Sequence, residues 1–148
     1  MEREFVAELD SLYPILGFVQ SEVCGFGFSE LAAQEIELAV EELFVNIVNY
    51  AYTDKVGLVI IDCREPQEGK VVITLKDQGI PFNPLVELQK HPKKREMLKH
   101  QKGGFGIFIA ISIMDRVDYR RDNDWNVLIL EKSNQPCLSA NANRKKME

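Results

Sequence analysis

The chain has 148 residues, 45% of them hydrophobic and 28% charged, with a formal net charge of −5. Length and composition suit one soluble domain with a proper core. The acidic balance argues against a general nucleic-acid binder, which presents a basic face, and no apolar run approaches the ~20 residues that span a bilayer.

The N-terminus, Met1-Glu-Arg-Glu, lacks a basic region followed by an apolar stretch, so no signal peptide is expected. Residues 3–9 read as a short edge strand. Asp10 or Ser11 can cap a helix running to about Cys24, with Pro14 in its first turn, where a missing N–H costs little. Gly25 to Phe28 is a break, and Ser29 is the next N-cap. The helix expected over 30–52 carries Ile36, Val40, Leu43, Ile47 and Ala51 at helical spacing as its core stripe.

Residues 56–64 and 70–76 read as two strands of an antiparallel hairpin, joined by the turn Glu65-Pro-Gln-Glu-Gly69. Residues 83–102 hold two prolines and the cluster Lys90, Lys93, Lys94, Arg95, Lys99 and Lys102, with little periodicity. A loop of that length inside a compact domain is usually functional or disordered. A helix follows from about Phe105 to Met114. Two strands, 116–120 and 126–132, are joined by Asp122-Asn-Asp-Trp. The domain spans 1–132, and the polar tail 133–148 is expected to be disordered. Helices and strands come in blocks, which indicates an α+β sandwich: a mixed, mostly antiparallel sheet with helices packed on one face. Cys24, Cys63 and Cys137 show no metal spacing and read as free thiols in a cytoplasmic protein.

Three polar signatures carry chemistry. On the 30–52 helix, Glu42, Asn46 and Asn49 fall within an arc of about 60° at ~100° per residue. Leu38, Ala39 and Val45 flank that arc. An amide oxygen from Asn46 suits Mg²⁺, which takes few protein ligands and keeps much of its water. Glu42, one turn earlier, can act as a general base near the same ion. Taken alone, the strip also fits a solvated polar face. Asp77 ends the 70–76 strand and Gly79 follows it. Such an acid can accept a hydrogen bond from an adenine amino group, with Ile80 and Phe82 as apolar walls for the base. By itself, Asp-Gln-Gly is also ordinary turn chemistry. Gly103, Gly104 and Gly106 open an apolar helix beside Lys102. Free N–H groups at a helix start attract phosphate, although a flexible hinge would use the same glycines.

Together, and in this order, the signatures resemble the N box and the two glycine boxes of the Bergerat-type (GHKL) ATP-binding fold of gyrase, histidine kinases and MutL. Glu41-Glu42-Leu-Phe-Val-Asn46-Ile-Val-Asn49-Tyr-Ala-Tyr52, Asp77-Gln-Gly79-Ile-Pro-Phe82-Asn-Pro84 and Gly103-Gly104-Phe-Gly106-Ile resemble one branch in particular. That branch is the bacterial anti-sigma regulatory factors, which are serine/threonine protein kinases. The resemblance implies ATP and Mg²⁺ as cofactors and Asn46 as metal ligand. It makes Glu42 the catalytic base and Asp77 with Gly79 the adenine site. Asn49 lies on the phosphate side, and Gly103, Gly104 and Gly106 bind phosphate at the end of a lid, 83–102. It further implies a homodimer, an anti-anti-sigma protein as phosphoacceptor and an RNA polymerase sigma factor as second partner; from charge and hydropathy, no direct contact with nucleic acid or membrane is expected. Two departures stand out. Asp122-Asn-Asp-Trp-Asn126 replaces a small glycine turn, and Ile129 is expected where a threonine often lies near the adenine acid. The alternatives are an ATP-binding module without phosphotransfer and a detached histidine-kinase ATPase domain. Against the latter, His91 and His100 both fall in the 83–102 segment.

Overall fold

The structure, a computed structural model, describes residues 1–86 and 106–134. In chain order it has β1 (Glu2–Val6), a 3₁₀ turn (Leu9–Ser11), α1 (Leu12–Gly25), α2 (Glu30–Asn46), a π-helical turn (Ile47–Ala51), β2 (Leu58–Gln67), β3 (Lys70–Asp77), α3 (Gly106–Ile113), β4 (Arg116–Asp122) and β5 (Trp125–Ser133). The five strands form one sheet in the order β1-β2-β3-β5-β4, and every pairing is antiparallel. The expected lid lies outside the described residues except for 83–86, as do the basic cluster, Lys102, Gly103, Gly104, both histidines, Cys137 and the tail beyond 134.

Strand alternation sets the layers. Phe5, Val59, Ile61, Cys63, Val71, Ile73, Leu75, Leu128 and Leu130 are buried and face the helices. The helices answer with Ile15, Val19 and Val23 from α1 and Ile36, Val40, Leu43 and Phe44 from α2. All five residues of the expected α2 stripe are buried, Ile47 and Ala51 included. Ser29 caps α2 by accepting from the Ala32 N–H at 3.1 Å. Lys132 ties the layers together, donating to Ile113 O at the end of α3 (2.7 Å) and pairing with Glu35 of α2 at 3.2 Å. A cation there suits the carbonyl end of a helix.

The structure moves several expected boundaries. Neither Asp10 nor Ser11 caps α1 with its side chain. Leu9–Ser11 forms a separate 3₁₀ turn, and the helix begins at Leu12. β2 continues to Gln67 through a bulge between Arg64 and Gln67. That bulge absorbs Pro66, whose missing N–H would break a regular ladder. The turn shrinks to Glu68-Gly69, with Gly69 at φ 81. The long helix is not α-helical to its end: from Ile47 the backbone widens into a π turn. Such turns are rare and cluster at functional sites. The free thiols include exposed Cys24 and buried Cys63, whose pKa burial pushes up to about 12.

Phe44 is fully buried at the centre of this core. Phe44→Ala should cost about 3–5 kcal/mol in chemical denaturation. A loss under about 1 kcal/mol would mean that α2 is not packed as described.

Candidate nucleotide site

β3 is a helix-facing apolar strand whose last inward position is occupied by a carboxylate. Asp77 is only 2% exposed. Removing a charge from water is costly unless donors replace the lost solvent. Two do so at the same atom: Oδ1 accepts the Gly79 N–H at 2.9 Å and the Asn126 Nδ2–H at 2.9 Å. Oδ2 takes no hydrogen bond from the described residues. Burial lifts the Asp77 carboxyl above the ordinary aspartate range, against the opposing pull of Asn126, the Gly79 N–H and the Arg121 charge.

The turn after Asp77 is clamped on two sides. On the helix side, the π turn directs Ala51 O toward the Ile80 N–H, which donates to it at 2.9 Å. Tyr52 continues the clamp. Its hydroxyl donates to Leu58 O (2.7 Å) and accepts from the Gln78 N–H (2.8 Å). Tyr50 stacks on Phe82, with ring centroids 5.1 Å apart and planes 19° apart. On the sheet side, Arg121 of β4 donates to Gly79 O at 2.9 Å. Asn126 also donates to Ile80 O (2.8 Å) while accepting from the Phe82 N–H (3.3 Å) and the Tyr119 O–H (2.5 Å). Gly79 is required by this crowding, because a Cβ there would lie 2.3 Å from Ala51 O.

The sequence signatures therefore meet in part. The helix that bears Glu42 and Asn46 ends in the π turn bonded to the Asp77–Ile80 loop. Glu42 and Asn46 are half-buried one turn apart, while Asn49, inside the π turn, is exposed. Burial, reinforced by the neighbouring charge of Glu41, raises the Glu42 pKa. Ile80 is about half exposed at the mouth of the loop. Gly106 is the first residue of α3. Ile129 does not lie beside Asp77. It pairs with Thr74 on the sheet face away from the helices, and the residue opposite Asp77 is Asn126. The error was one of register: a strand alternates with period two, so an odd offset of three residues also changes face. Asn126, Tyr119, Arg121 and Tyr52 were missed. The one signal for Asn126 was an amide at the inward position of an otherwise apolar strand.

A buried acid with one oxygen unbonded among the described residues, a neighbouring glycine pressed on a helix end, and a carboxylate–amide pair on that helix fit the nucleotide site of one class of domain. The chain belongs to the histidine kinase-like ATPase domain family, whose model matches residues 5–132. An ATPase domain of this kind implies an ATP site, and the residues present fit one. Among known proteins, the chain is similar to the serine-protein kinase RsbW of Oceanobacillus iheyensis, 30% identical over 109 residues that cover 70% of this chain and 66% of that protein. It is also similar to RsbW of Staphylococcus aureus, 29% identical over 61% of this chain and 59% of the relative. The serine/threonine-protein kinase BtrW of Bordetella bronchiseptica is 27% identical over 68% and 70%. The chain thus spans a little under two thirds of the RsbW proteins named here. In fold it matches the catalytic domain of the histidine kinase ThkA, with a TM-score of 0.50 at 15% identity over 90% of this chain and 96% of that one. The histidine kinase domain of the Erythrobacter litoralis blue-light activated kinase gives a TM-score of 0.50 at 15% identity, over 82% and 64%.

Two outcomes test this geometry. Gly79→Ala should break the Ile80–Ala51 bond and destabilise the fold by about 1–3 kcal/mol in denaturant titration; wild-type stability would mean the turn does not press on the helix end. Asp77→Asn keeps an oxygen for both donors. A carboxyl with a raised folded-state pKa binds its proton more tightly folded than unfolded, so its ionisation lowers stability as pH rises through that pKa. Without nucleotide, Asp77→Asn should therefore melt at or above the wild type at pH 7. The difference should shrink as pH falls and the wild-type carboxyl becomes neutral. A large drop in melting temperature at pH 7 would contradict the burial described.

Proposed function

We propose that this chain is an ATP- and Mg²⁺-dependent serine/threonine protein kinase acting as an anti-sigma regulatory factor. Its phosphoacceptor is a small anti-anti-sigma protein, and its second partner is an RNA polymerase sigma factor held inactive by binding. It works in the cytoplasm as a homodimer. The observation that carries the reading is Glu42, half-buried with a raised pKa, one turn before Asn46 on the helix whose end is bonded to the Asp77 turn. The serine-kinase relatives support it.

In this reading the adenine amino group donates to Asp77 Oδ2, and Phe82 with Gly79 lines the base. Asn49, Lys102, Gly103, Gly104 and Gly106 would bind the phosphates. Mg²⁺ would be held through the Asn46 carbonyl oxygen and would neutralise phosphate charge. Glu42 takes the proton from the partner hydroxyl. The hydroxyl oxygen bonds to the γ-phosphorus as the bond to the bridging oxygen breaks, leaving a phosphorylated side chain and ADP. Positioning and charge carry most of such a transfer. A carboxyl whose pKa burial raises makes a better base than an ordinary glutamate.

Incubation with labelled ATP, Mg²⁺ and a candidate anti-anti-sigma protein tests the proposal. Glu42→Gln should retain ATP binding but transfer phosphate ~10²-fold or more slowly. Asn46→Ala should lose Mg²⁺-dependent ATP binding as well, measured as the ligand-induced rise in melting temperature. The wild-type rate should fall on the acid side as Glu42 takes up its proton, at a pH above the ordinary glutamate range. Transfer at the wild-type rate by Glu42→Gln would sink the mechanism.

A further inference from the structure

The Asn126 amide is fully engaged, with two donated and two accepted hydrogen bonds. Turning the amide over would set its oxygen against Asp77 Oδ1 and Ile80 O and its NH₂ against the Phe82 N–H. The network therefore admits one orientation. Asn126 is also 2% exposed, so water cannot substitute for these contacts. It stands directly opposite Asp77 in the β3–β5 ladder, so both backbones fix the distance between the two side chains.

We propose that Asn126 is a positioning and base-specificity residue: by pinning Asp77 Oδ1 it turns Oδ2 to the ligand as a pure acceptor, selecting a base that presents an amino group there over one that presents a carbonyl. The inference rests on the reading of Asp77 as the base-binding acid. A carboxylate accepts only; a protonated carboxyl also donates and can pair with a carbonyl edge. Buried carboxyls drift toward the protonated form unless donors stabilise the charge. Asn126 is one of the two side chains that hold Asp77 in the charged form, and Arg121 is the other. The remaining titratable groups described around Asp77 are Tyr119 of β4 and Tyr52 after the π turn, both with pKa raised chiefly by burial. Neither tyrosine ionises near neutral pH, so the charge state of Asp77 turns on Asn126, the Gly79 N–H and Arg121. Removing the Asn126 amide should both free the carboxylate to rotate and let it take a proton at a higher pH. Either effect weakens an amino-bearing base and favours a carbonyl-bearing one.

Calorimetric binding of Mg-ADP and Mg-GDP to the full chain, from about pH 5.5 to 8.5, tests this. The wild type should prefer ADP with little pH dependence over that range. Asn126→Ala should weaken ADP by roughly tenfold or more and narrow its preference over GDP. Its ADP binding should fall as pH drops, because Asp77 becomes protonated. Asn126→Asp should show the opposite slope. At acid pH the two carboxyls share one proton and the donor to Asp77 is restored; at alkaline pH both are charged and repel. Asn126→Thr, which keeps a hydroxyl donor, should retain most of the preference. Adding Asn126→Ala to Asp77→Asn should cause no further loss of base preference, since coupled residues are not additive. If the Ala variant fails to melt cooperatively, the opposite slope in Asn126→Asp and the retention in Asn126→Thr decide the matter. Wild-type preference and pH profile in the Ala variant, or in Asn126→Asp, would overturn the role of Asn126 while leaving Asp77 as the base-binding acid. A wild type that binds neither nucleotide would overturn the reading of Asp77 itself.

Discussion

The local architecture depends on keeping one carboxylate out of water. Asp77 occupies a position that the alternation of β3 assigns to the core, after Val71, Ile73 and Leu75. Desolvating that charge costs several kcal/mol, and the surrounding chain is arranged to offset it. The Gly79 N–H folds back onto Oδ1, which forces the turn to be tight. A tight turn brings Gly79 against Ala51 O, which excludes any side chain there. The same oxygen takes a second donor from β5, and Asn126 supplies it. Each step follows from the one before, so the loop is specified by the charge it surrounds.

The same constraint couples the sheet to the long helix. α2 is anchored by Ile36, Val40, Leu43 and Phe44, all fully buried. Its polar strip therefore has little freedom to move relative to the core. The π turn adds a wider coil where the helix meets the Asp77 loop, and a backbone carbonyl becomes available to Ile80. Glu42 and Asn46 thus sit on a rigid element whose end is bonded to the Asp77 turn. A site held by packed helices and strands keeps its geometry better than one held by loops alone.

Most of this was legible in the sequence because it follows from periodicity. The buried stripe of α2, the Ser29 cap, the β2–β3 hairpin and the final β-hairpin all come from spacing and turn chemistry. Asp77 and Gly79 were visible because polar residues at a strand end are conspicuous. Three features were not readable. The π turn carries the same apolar spacing as an α-helix, since Ile47 and Ala51 are buried either way. The bulge at Glu65–Pro66 looks like a turn because proline is read as a break, although one extra residue in the strand accommodates it. The partnership of Asn126 with Asp77 depends on register across 49 residues of chain, and no local pattern encodes register. The resemblance set Ile129 beside the acid, whereas the register sets Asn126 there.

The strand order has a bearing on how the molecule meets others. The two outer strands of the described sheet are β1 and β4. β1 reads Glu-Arg-Glu-Phe-Val and β4 reads Arg-Val-Asp-Tyr-Arg-Arg-Asp. An outer strand offers unpaired N–H and C=O groups that can recruit further chains, and charge along it discourages that recruitment. Arg116 paired with Asp118, and Arg3 lying over Phe5, keep such charges in place along both margins. The ladder is thus a poor template for a sixth strand. Runaway fibre growth through those margins by a partly unfolded chain is thereby disfavoured.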